Sequence, residues 1–157
     1  MIPEQRLGDQ YLLLRDPLFV TTSIADEARL WASEHHVKIA RAVAESCSAL
    51  GIKISKDAFL PRFSSGERAV AALVLMAEIC RLPSSPPALL LLQVHRHIDQ
   101  NRRGRVADYL AGLNDVSVLA ADTEGRDGSG SPKISDLRVM FSGSGDGSVE
   151  PVEVCQI

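Results

Sequence analysis

The chain has 157 residues, a formal net charge of −3 at pH 7 and an apolar fraction of 45%. That length supports one domain with a sizeable core, and the composition is that of an ordinary globular protein. The slightly acidic balance excludes a global basic field, so any contact with DNA must come from a local patch or a partner.

Cys47, Cys80 and Cys155 are an odd and scattered set. They exclude a disulfide framework and a Cys-x-x-Cys metal site, and they predict a reducing, cytoplasmic setting. The opening Met1-Ile2-Pro3-Glu4-Gln5-Arg6 has the pattern of neither a signal peptide nor an arginine-rich transit peptide. No apolar run is long enough to span a bilayer, so no membrane is expected.

Taken in chain order, Tyr11-Leu12-Leu13-Leu14 and Pro17-Leu18-Phe19-Val20 read as two short extended pieces around Asp16-Pro17. Ser23 followed by Asp26 resembles a capping box. Behind it, Ala28, Leu30, Trp31, Val37, Ile39, Ala40, Val43, Ala44 and Leu50 recur at roughly helical spacing, and Gly51 suits a stop. The spacing predicts one long amphipathic helix over about residues 24–50. Residues 52–63 alternate enough for a short strand or a loop, with Leu60-Pro61 as a break. Residues 24–62 thus form a helical, arm-like region.

Ser64 or Ser65 can cap the next helix. Its apolar residues, among them Ala69, Leu73, Met76 and Ile79, cover much of the circumference and predict burial. Leu82-Pro83-Ser84-Ser85-Pro86-Pro87 ends it. Residues 88–93 form a short apolar run between turn signals and read as a central buried strand. Residues 99–113 read as a helix with Val106, Tyr109, Leu110 and Leu113 inward and Arg102, Arg103 and Arg105 outward. Residues 116–121 read as a second buried strand. Residues 125–132 are a Gly/Ser-rich loop, and 137–141 and 149–154 read as terminal strands. Helix, strand, helix, strand over 65–121 makes an α/β unit with a parallel strand pair, at home in a doubly wound sheet.

Ser64-Ser65-Gly66-Glu67 carries the clearest chemistry. The first N–H groups of a helix lack intrahelical partners, and the helix dipole favours an anion there. A serine hydroxyl adds a donor, and glycine permits close approach of a phosphate. The alternative is an ordinary serine cap with an acidic first turn.

The wider segment resembles the signature-to-Walker-B part of ABC-type ATPases, in particular the RecF/SMC branch. The resemblance rests on Ser64-Ser65-Gly66-Glu67, the Ala/Leu-rich run from Ala71 to Glu78, Leu89-Leu90-Leu91-Leu92-Gln93-Val94, Ile98-Asp99, Arg102-Arg103 and the strand from Val116 to Asp122. It covers residues 63–122, with 123–157 as a Gly-rich loop and terminal strands. It implies an α/β fold: the parallel-sheet half of an ABC-type head, with a long N-terminal helix. It also implies that Ser64, Ser65, Gly66 and Glu67 contact the γ-phosphate of ATP held by an opposite subunit, and that Asp99 is the D-loop aspartate.

That alignment puts Leu92 and Gln93 where the family carries two acidic residues. The first holds Mg²⁺ through water and the second positions the attacking water. Leucine does neither, and glutamine is a poor base. No Gly-x-x-x-x-Gly-Lys-Ser/Thr occurs in the sequence. The resemblance therefore implies a degenerate lobe with no catalytic residue of its own. It would use ATP and Mg²⁺ only with a P-loop-bearing partner or through self-association, in DNA repair or maintenance. The other reading is a protein-interaction module with an ATPase-derived fold and no nucleotide chemistry.

Two further groups invite attention. His95 and His97, two positions apart in an extended segment, would face the same side and could share a metal with Asp99. The alternative is two solvent-facing histidines, and no metal site is assigned. Arg96, Arg102, Arg103 and Arg105 form the one basic cluster, a possible contact for DNA or a partner, or else a solvated helix face.

Overall fold

The computed structural model describes residues 12–15, 19–83, 85, 88–92 and 94–121. A short strand, β1 (Leu12–Leu14), leads to α1 (Ile24–Trp31) and α2 (His36–Ala49). A 3-10 turn at Leu60–Arg62 precedes α3 (Ser65–Cys80). Then follow β2 (Ala88–Leu92), a 3-10 turn at Val94–His97, α4 (Gln100–Ala111) and β3 (Ser117–Ala121). No helix among the described residues is long and apolar enough to cross a membrane.

The three strands form one parallel sheet in the order β1-β2-β3. Leu89 pairs with Leu12 on one side and Val118 on the other, and Leu91 pairs with Leu14. Leu12, Leu14, Leu89, Leu91 and Val118 are buried and share one face. On the other face Ala88, Leu90 and Leu92 are half-buried. β2 is therefore the central strand, parallel to β3, as its apolar run implied. The extended piece at Leu12–Leu14 is its second neighbour. The molecule is a mixed α/β structure with a small parallel sheet.

Helix α3 lies against β1 and β2 and is buried on nearly all sides, from Ala69 to Ala77 without interruption. Continuous Ala, Val, Leu and Met allow this, because no charge on the inner turns has to reach water. Helix α4 stands beside α3: the Tyr109 hydroxyl donates to Glu78 Oε1 at 3.5 Å. The described strands run in sequential order, so the reversal of strand order that marks a doubly wound sheet is not among the described residues.

The expected long N-terminal helix is two helices. The Ala32 N–H still bonds the Ala28 carbonyl, but Ala32 itself has left helical geometry (φ −151°, ψ 70°). Ser33, Glu34 and His35 then turn the chain, and the Ser33 carbonyl lies 2.6 Å from His36 Nδ1. The two helices pack on each other and both touch α3, α2 more extensively. Doubling back lets both buried stripes reach one core, which a straight rod of this length would not.

The end of α2 follows the expected signal. Gly51 has φ +82°, the left-handed region that favours glycine. Ile52 N–H donates to Cys47 O at 2.8 Å and Gly51 N–H to Ser48 O at 3.0 Å, the paired bonds of a Schellman stop. Residues 52–59 carry no strand, and the segment is tied down by Ala25 N–H to Lys56 O and Leu60 N–H to Thr22 O. The expected terminal strands at 137–141 and 149–154, the Gly-rich loop and Gln93 lie outside the described residues.

Candidate functional site

The turn that opens α3 is built from the chain's own side chains. Ser64 is extended (φ −60°, ψ 158°), and its hydroxyl accepts the Glu67 N–H at 3.2 Å. Glu67 Oε2 in return accepts the Ser64 N–H and the Ser64 hydroxyl, each at 3.0 Å. This is a complete capping box, which satisfies two donors that a helix start leaves open. Ser65 stays exposed.

Gly66 explains why this turn needs a glycine. A Cβ there would stand 2.9 Å from the carbonyl oxygen of His97 and 3.8 Å from Asp99 N. The 3-10 turn after β2 thus rests directly on the first turn of α3. Asp99 caps α4, its Oδ1 accepting the Arg102 N–H at 3.1 Å and its Oδ2 the Arg102 Nη1 at 2.9 Å. The same guanidinium lies 3.5 Å from Glu67 Oε1 through Nη2. Arg102 therefore bridges the two helix starts. Ser64, Gly66, Glu67 and Asp99, distant in sequence, are neighbours here.

The other candidates separate. Arg103 Nε donates to the Ile98 carbonyl at 3.0 Å, which fixes it on its own turn. Arg105 points toward the end of α2, where a Cβ on Gly51 would lie 3.0 Å from its Nη1. Arg96 is exposed. Arg102, Arg103 and Arg105 thus each meet a different neighbour. Leu92 ends β2 on the half-buried face of the sheet.

The extended geometry assumed for His95 and His97 is replaced by a 3-10 turn. Both Asp99 oxygens are also engaged by Arg102. No group of three or more metal-type side chains gathers among the described residues.

Two polar constellations were not legible beforehand. Glu27 is fully buried. Its Oε2 accepts from Val20 N–H, Thr21 N–H and the Thr21 hydroxyl at 2.9–3.0 Å, and its Oε1 from Trp31 Nε1 at 3.2 Å. At the far end of α3, Arg81 Nε bonds Asp115 Oδ2 at 2.8 Å and its Nη1 reaches Glu78 Oε1 at 3.3 Å. The hydrogen bond from Arg81 lowers the Asp115 carboxyl from its ordinary value. Burial, with Glu78 close by, raises the Tyr109 hydroxyl. Burial also pushes the thiols of Cys47 and Cys80 up to about 12, so neither is a thiolate nucleophile near neutral pH.

No protein-family model matches the sequence, and no curated protein matches it.

Proposed function

We propose that the chain is a non-catalytic head lobe of RecF/SMC-like ABC type, completing a composite ATP site on a P-loop-bearing partner in DNA maintenance. The observation that supports this most is the seating of the Ser64–Glu67 turn on the turn before Asp99, through Gly66 and His97. In that role the exposed Ser65 hydroxyl and the open end of the α3 dipole meet the γ-phosphate of the partner's nucleotide. Glu67 holds the turn in shape, and Arg102, shared with Asp99, offsets part of its charge. Leu92, in place of an aspartate, leaves Mg²⁺ binding and water activation to the partner.

Light scattering of the chain mixed with a P-loop-bearing RecF/SMC-type chain, with and without Mg–ATP, tests the proposal. The expected result is a complex that forms only with nucleotide. Ser65→Arg should abolish it while leaving thermal unfolding nearly unchanged, because the new side chain fills the phosphate position on an exposed turn. Association that ignores ATP, or survives the substitution, overturns this reading.

One observation favours the second reading, an interaction module with no nucleotide chemistry. The Glu67 carboxylate already sits on the cap of α3, where it satisfies the Ser64 N–H and hydroxyl. Nucleotide-independent association in the same experiment is its signature.

A further inference from the structure

We draw no further inference here: the strongest candidate, the half-buried apolar face of the sheet formed by Ala88, Leu90 and Leu92 of β2, carries nothing because the structure does not show what covers it.

Discussion

The carbonyl oxygen of His97 lies 2.9 Å from the place a Cβ on Gly66 would occupy. Two elements far apart in sequence are thereby held at backbone contact, with no side chain between them. The obstacle is a carbonyl, not the tip of a flexible side chain, so it cannot move without shifting the whole turn.

Gly66→Ala is therefore expected to destabilise the protein, although alanine is the better helix former by about 1 kcal/mol. The overpacking cost of about 1–3 kcal/mol exceeds that gain. Urea unfolding of the two proteins measures it. A higher midpoint for the alanine variant would mean the contact is loose and the turn adjusts freely.

Glu27 offers the largest single loss. Four donors converge on a carboxylate with 0% exposure. Glu27→Ala strands the Val20 and Thr21 N–H groups and Trp31 Nε1, while the Thr21 hydroxyl keeps the Ser23 carbonyl at 3.0 Å, and the change is expected to cost about 3 kcal/mol. Glu27→Gln keeps the shape but turns one acceptor into a donor that faces other donors, and it should recover only part of the loss. Trp31 is the chain's single tryptophan and bonds this carboxylate, so its fluorescence reports the change directly. Unfolding midpoints of Glu27→Ala within experimental error of the parent would refute the assignment.

Alkaline pH should weaken the fold through Cys47 and Cys80. Their thiols titrate at about 12 when folded against an ordinary 9.0, so between these values the unfolded chain loses protons that the native chain keeps. Fewer bound protons in the unfolded state mean that stability falls as pH rises, by up to about 1.4 kcal/mol per pH unit for each thiol. That contribution is fully present below pH 9 and is lost progressively above it. Denaturant midpoints at pH 8 and pH 10.5 check the slope, and equal midpoints would contradict it.

On the proposed reading the isolated chain should show no ATP turnover, because Leu92 would stand where a metal-holding aspartate is needed. Steady-state phosphate release from purified protein is the measurement. Turnover that persists through purification and disappears in Gln93→Ala would show that the alignment of β2 is wrong.

The sequence made the central strand, its parallel neighbour and the α3 and α4 starts readable, because each is marked by a local signal. Ser64 and Asp99 are both polar caps before helical runs, and Ala88–Leu92 is an apolar run between breakers. The break between α1 and α2 was hidden by phase. Ala28 and Ile39 are both buried and lie eleven positions apart, close to three helical turns, so an unbroken helix fits the same pattern.

At the candidate site, the caps of α3 and α4 were legible in the sequence but the contacts between them were not. Gly66 and His97 touch through backbone atoms, which leave no compositional trace. The burial of Glu27 was not legible because its partners, two backbone N–H groups among them, carry no sequence signature. The turn that holds His95 and His97 was not legible: the chain enters a 3-10 turn at Val94 where an extended segment was assumed.

The order of the strands has a consequence for how the chain assembles. Leu89 meets Val118 after 29 positions of chain but meets Leu12 across 77. Closing the longer loop costs about 0.9 kcal/mol more entropy, and β1 contributes only three residues in return. The β2–β3 pair, with α4 between them, is thus the cheaper nucleus. β1 is therefore expected to dock last, and amide exchange at the margin of the sheet beside β1 is expected to be faster than in β2.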